Sequence, residues 1–218
     1  MKLTRPALAL AAVAALAVGL VPAQAAQGPV VLTDVAGDAN GVNGQGLVDG
    51  GPNNMATAPA SMASMDIVSV TLTNTGTTRK VKQGKKVVSV FDCTGFTATL
   101  ELGAAPFQSA IYRVTGTAPV NVGTWWLTFT NDATGALGQV QYSADGADPL
   151  AGGVVDVPVK VEGSKVTWTV SKGVIKTTGE KLGFDWSGIG AHSRVIAGVA
   201  TVPLIDDTPA ETFFKPCG

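Results

Sequence analysis

Phe96-Thr97-Ala98-Thr99-Leu100-Glu101-Leu102 decides the fold class. Apolar residues at 96, 98, 100 and 102 alternate with Thr97, Thr99 and Glu101. In an extended strand this period of two sends one set of side chains to a core and the other to solvent. Val166-Thr167-Trp168-Thr169-Val170 repeats the pattern. Trp125, Leu127 and Phe129 alternate with Trp126, Thr128 and Thr130. Val155, Val157, Val159 and Val161 alternate with Asp156, Pro158 and Lys160. Further strands are expected over residues 65–74, 86–92, 109–115, 138–143, 181–186 and 194–201, and no helix of ordinary length. Turn signals separate them at Asn74-Thr75-Gly76, Gln83-Gly84, Asn131-Asp132-Ala133-Thr134-Gly135, Asp145-Gly146 and Glu162-Gly163-Ser164. Half-buried strands joined by such turns predict an all-β, antiparallel two-sheet β-sandwich of about nine or ten strands. A closed β-barrel is the alternative, because alternation alone does not separate the two.

The first 25 residues read as a secretory signal peptide. Lys2 and Arg5 precede a charge-free run from Ala7 to Val21, and Ala23-Gln24-Ala25 supplies a small-x-small cleavage site. Fifteen apolar residues rise only about 22 Å as a helix, too short for a hydrocarbon core of roughly 30 Å. The expected product is a secreted, extracellular single domain over residues 26–218, with no transmembrane segment after signal cleavage. It carries 13 Lys+Arg against 16 Asp+Glu, a net charge of −3. That balance argues against nucleic acid as a partner. The one basic run, Arg79, Lys80, Lys82, Lys85 and Lys86, flanks Gly84 and reads as a solvated turn, with a polyanion patch as its competitor. Cys93 and Cys217 are the only cysteines, and an oxidising compartment makes their pairing the expected outcome. Two thiols and the single His192 make a poor zinc set.

Residues 34–64 form a long segment of Gly, Asn, Asp, Ala and Pro, and loops of that length are usually functional or disordered. It opens Asp34-Val35-Ala36-Gly37-Asp38-Ala39-Asn40-Gly41-Val42-Asn43. Calcium takes six to eight oxygens in flexible geometry, and carboxylates, amides and carbonyls on a Gly-rich loop can supply them. Asp34, Asp38, Asn40 and Asn43 are therefore candidate calcium ligands, against the plainer reading that Asx and Gly residues shape turns. Asp206 and Asp207 could close the site from the far end of the chain, or form an exposed acidic turn.

This opening, followed by Met65-Asp66-Ile67-Val68-Ser69-Val70, resembles the start of family 9 carbohydrate-binding-module-like domains. Lys165-Val166-Thr167-Trp168-Thr169-Val170, Gly179-Glu180-Lys181-Leu182 and Ile205-Asp206-Asp207-Thr208-Pro209-Ala210 are similar to secreted relatives of that group. The resemblance implies a β-sandwich with structural calcium. Asp34 and Asp38 fall on the family's acidic pair, and Asp66 on the acid before its strand. The family's sugar-clamping aromatics have no positional counterpart, since residues 46–59 hold no aromatic.

Carbohydrate binding needs aromatic platforms. Trp126, outward-facing by alternation, and Trp186, beside Asp185, are the candidates, against the competing reading that large aromatics fill cores. Catalysis finds no support. There is no Gly-x-Ser-x-Gly elbow, the four glutamates show no pairing, and His192 reads as a surface or turn residue. The sequence thus predicts a non-catalytic binding module, calcium-stabilised and contacting a glycan or another cell-envelope component. The rivals are a structural or adhesive envelope protein without a small ligand and, more weakly, a heme-binding sandwich using His192 with Met55, Met62 or Met65.

Overall fold

The computed structural model describes residues 28–34, 36, 39, 63–108, 110–117, 123–143, 153–182, 186–195, 204–208 and 212–217. The expected signal peptide lies outside them, as do Asp38, Asn40 and Asn43. Among the described residues there are twelve strands and one helix of more than one turn. In chain order the strands are β1 (Val30–Thr33), β2 (Ile67–Gln83), β3 (Lys86–Leu102), β4 (Ala110–Thr117), β5 (Thr124–Asp132), β6 (Gly135–Ser143), β7 (Gly153–Asp156), β8 (Val159–Glu162) and β9 (Lys165–Ser171). Helix α1 (Lys172–Leu182) follows, then β10 (Trp186–Val195), β11 (Leu204–Asp207) and β12 (Thr212–Phe214).

These make two antiparallel sheets. The smaller has the order β1-β2-β3-β9-β8. The larger runs β11-β10-β4-β5-β6-β7, with β12 also on β10. Neither closes into a barrel, so the fold is the expected β-sandwich. The alternating residues meet between the sheets. Phe96, Leu100, Val166 and Trp168 from the smaller sheet and Tyr112, Val114, Leu127 and Phe129 from the larger are buried in one core. Each large side chain buried fully contributes about 1.5–3 kcal/mol. The rings of Phe129 and Trp168 meet edge to face at 6.4 Å, and the Trp168 indole N–H donates to the Thr128 carbonyl at 3.0 Å. A polar handle thereby fixes the two sheets in register.

The segment 155–161 explains part of the excess over ten strands. Its alternation is real but is split at Val157-Pro158, where the chain leaves the larger sheet as β7 and enters the smaller as β8. Proline has no N–H for a ladder, and its carbonyl instead accepts from Thr169 N at 2.9 Å.

Two other expectations are corrected. The region after β9 is helical, and residues 181 and 182 end that helix where a strand was expected. Ser171 Oγ accepts from Val174 N at 3.4 Å, the contact of an N-cap. Ile175 and Thr178 are the buried side. Glycines and β-branched residues are weak helix formers, which hid the helix. The turn expected at Asn74-Thr75-Gly76 is instead strand interior with a bulge. Asn74 spends its amide on the C-terminal tail, Nδ2 donating to Lys215 O at 3.1 Å and Oδ1 accepting from Cys217 N at 2.9 Å. The turn at 131–135 holds: Asp132 Oδ1 accepts from Thr134 N and Oγ1, which keeps its carboxyl below the usual range.

Candidate functional site: an acid corner and a polar sheet face

β1 ends opposite the start of β2, with Thr33 paired to Ser69. One step on, Asp34 N donates to Val68 O at 2.9 Å. Asp66 lies two residues before Val68 and is buried, and its Oδ1 accepts from Ala39 N at 3.4 Å. Asp34, Asp66 and the loop arriving at Ala39 therefore share one corner of the sandwich. Gly103 closes it from β3's end: its N–H donates to Asp66 O at 2.9 Å, and a Cβ there would lie 2.8 Å from Asp66 Oδ2.

The larger sheet holds this corner from across the core. Tyr112 on β4 and Ser193 on β10 are register partners. The Tyr112 hydroxyl donates to Ser64 O at 2.7 Å and accepts from Phe107 N at 2.7 Å. Ser193 Oγ donates to Met65 O at 2.6 Å. Two buried side chains thus grip successive carbonyls immediately before Asp66. Burial pushes the Tyr112 phenol above its ordinary range, partly offset by the Phe107 N–H. β11 brings Asp206 opposite Ser193 and Asp207 opposite His192, so its backbone borders the same clamp.

The structure therefore brings Asp34 and Asp66 together and places the strand carrying Asp206 and Asp207 against the residue that grips Met65. Carboxylates on a backbone corner are chemistry a calcium ion accepts. Among the described residues no group of three or more His, Cys, Asp or Glu side chains is arranged to hold a metal. The remaining expected ligands, Asp38, Asn40 and Asn43, fall outside the described residues.

The second feature is the outward face of the larger sheet. Directly opposed residues of antiparallel strands share a face. The register His192–Arg113–Thr128–Gln139–Asp156 is continuous across five strands, β10, β4, β5, β6 and β7. A parallel row contains Thr115, Trp126, Gln141 and Val154. The polar groups are wired together: Thr128 Oγ1 donates to Gln141 Oε1 at 3.2 Å, Gln141 Nε2 to Gln139 Oε1 at 3.1 Å, and Gln139 Nε2 to Asp156 Oδ1 at 2.9 Å.

The centre of this face is sheltered. Trp126 keeps 8% of its surface, Thr128 2%, Gln141 6% and Ser143 1%. The alternation placed Trp126 correctly on the outer face, but its expected exposure is not found. Trp186 opens β10 opposite Phe214, and its side chain lies outside the described residues. His192, expected as a surface or turn residue, is half-buried inside β10 beside Arg113. The sequence reading missed Arg113, Thr128, Gln139, Gln141 and Asp156. Their signal was present as the polar half of each period-two pattern, but which polar halves become neighbours is set by strand order.

Cys93 and Cys217 are bonded, as expected, with Cα atoms 5.3 Å apart. No helix among the described residues is long and apolar enough to cross a membrane. No family model, curated protein or solved structure matches this chain.

Proposed function

We propose that this chain is a secreted, non-catalytic binding module that takes a glycan on the outer face of its larger sheet and is stabilised by calcium at the Asp34–Asp66 corner. The observation that carries the reading is the continuous polar row His192–Arg113–Thr128–Gln139–Asp156 with Trp126 beside it. Planar amides, a guanidinium and a carboxylate present paired donors and acceptors, which suit the vicinal hydroxyls of a sugar. Thr128 and Gln141, held by the hydrogen bonds among them, fix the orientation of Gln139, whose half-buried amide and the exposed Asp156 carboxylate are the end of the row open to a ligand. The resemblance to family 9 carbohydrate-binding-module-like domains points the same way, through the acids at 34, 38 and 66.

Titration with soluble plant and bacterial polysaccharides, followed by tryptophan fluorescence and calorimetry, tests the proposal. Arg113→Ala and Gln141→Ala should each weaken binding by about tenfold, the loss of roughly one charge-assisted or buried hydrogen bond. Wild-type protein that binds no polysaccharide, or variants that bind equally well, would remove this face from consideration.

The structural or adhesive reading is favoured by a different observation. Val31 on β1, Val154 on β7 and Val161 on β8 are exposed on the outermost strands of the described sheets. Edge strands with exposed apolar side chains invite pairing with another chain. Concentration-dependent self-association that is lost in Val31→Lys would support that role.

A further inference from the structure

We propose that the β2–β3 ribbon is a docking arm for a linear anionic polysaccharide, at a site that shares no residue with the polar sheet face. β9 pairs with β3 only from Gly95 to Glu101, and β1 pairs with β2 only from Ser69 to Leu72. Among the described residues, 76–93 pair only with each other, from Gly76 opposite Cys93 to Gln83 opposite Lys86. Eight residue pairs at about 3.3 Å per residue make an arm roughly 26 Å long. A bulge at Thr75/Gly76 marks its root, and Gly84, with φ of +60°, turns its tip. No residue from 76 to 93 belongs to the buried core.

The arm concentrates positive charge. It carries Arg79, Lys80, Lys82, Lys85 and Lys86 against Asp92 alone, a net +4. The expected mature chain is −3, so everything outside the arm sums to −7. Arg79 is engaged by Asp92. Lys80, Lys82, Lys85 and Lys86 are exposed and make no ion pair among the described residues. Lysines protect free strand edges from aggregation, but charges of either sign do that. Four cations on one arm of an acidic chain create a directed field.

Their arrangement selects the partner. Lys80 and Lys82 lie on one face of the ribbon about 6.6 Å apart along β2, Lys86, opposite Gln83, stands on the other face, and Lys85 sits at the tip between them. Cations on both faces and at the tip of a narrow arm suit a flexible linear polymer bearing many carboxylate, sulfate or phosphate groups, which can wrap around it. A bilayer would call for an aromatic or broad apolar wedge, yet Phe91 is the only aromatic on the arm and Val87 its one exposed large apolar side chain. Single-stranded nucleic acid would call for aromatic stacking platforms, and the tip, Gln83-Gly84-Lys85-Lys86, has none. The root is rigidly presented, because the Cys93–Cys217 bond and the Asn74 amide tie it to the C-terminal tail.

The test is retention and titration of the full secreted chain on polygalacturonate and dextran sulfate, with neutral dextran, duplex DNA and phosphatidylglycerol vesicles alongside. Wild-type affinity for the acidic polysaccharides should fall about sixtyfold between 50 and 200 mM salt, for a log–log slope on the order of −3. Replacing all four lysines, Lys80→Gln, Lys82→Gln, Lys85→Gln and Lys86→Gln, should weaken binding at 50 mM salt at least about tenfold and flatten that slope. The thermal midpoint and disulfide should stay as in wild type. A control carrying Lys160→Gln and Lys172→Gln should bind as wild type. The proposal is overturned by wild-type protein that ignores both acidic polysaccharides, by a quadruple variant that binds as before, or by a control that loses binding equally. Tighter binding to neutral dextran, DNA or vesicles than to the acidic polysaccharides also overturns it.

Discussion

Replacing Tyr112 by Phe removes one oxygen atom and disconnects three segments of chain. The hydroxyl joins β4 to the backbone at Ser64 and at Phe107, each at 2.7 Å. The ring stays in place, stacked near Phe129 with centroids 5.9 Å apart, so packing is conserved and the hydroxyl is isolated as the variable. Two net hydrogen bonds at about 1 kcal/mol each are lost, and the Ser64 carbonyl and Phe107 N–H are left in half-buried positions, for a total of about 2–3 kcal/mol. In a domain of this size that lowers the thermal midpoint by roughly 5–10 °C. Urea melts of both proteins, with equal m-values, give the comparison. A change below about 0.5 kcal/mol would refute the clamp, since it would mean the two backbone groups find water at no cost. The same variant reads out a pH effect. An exposed phenol titrates near pH 10.0, and the Tyr112 phenol in the folded chain titrates above that. Below pH 10 both folded and unfolded chains keep the proton and this group adds no pH dependence. Above it the unfolded chain ionises first, so wild-type stability falls by about 1.4 kcal/mol per pH unit from this residue. Tyr112→Phe should lack that component. Ser193→Ala should couple to it by about 0.5 kcal/mol or more in a double-mutant cycle, because the two side chains hold adjacent carbonyls.

Reducing the Cys93–Cys217 bond, or replacing both residues by serine, opens a loop spanning 124 residues, which the chain-entropy treatment values at up to about 5 kcal/mol. A melt with and without reductant should show a large drop in midpoint, and no shift would mean the tail is held without it. Millimolar calcium at tenfold excess over its dissociation constant should add roughly 1.4 kcal/mol to stability, and Asp34→Asn with Asp66→Asn should abolish the gain. Identical midpoints in calcium and in chelator would remove the ion from the account. Trp168→Phe should cost about 2–3 kcal/mol by denaturant titration, since it removes the inter-sheet hydrogen bond to the Thr128 carbonyl and leaves space between the sheets. A loss under about 1 kcal/mol would show that the inter-sheet bond contributes little.

Some of the molecule was legible because it depends on neighbours in the chain. β3 and β9 follow from alternation, since a period of two fixes which side chains share a face. The 131–135 turn follows from an aspartate that bonds to its own backbone two residues on. The pairing of Cys93 with Cys217 follows from there being only two thiols. Helix α1 was hidden because its signal is a single capping serine and a short buried face, too little to outweigh weak propensities. The Asn74 turn was misread because a turn-forming residue was used instead to clasp a segment more than 140 positions away.

By itself, then, the sequence determined that this is an all-β chain and which half of each strand faces inward, because both are properties of local periodicity. Only the tertiary structure decided which outward halves stand side by side, that Tyr112 and Ser193 reach across the core to hold the approach to Asp66, and that five cations lie along a ribbon. Strand order and register are set by the summed packing of distant segments. No window of neighbouring residues carries that information.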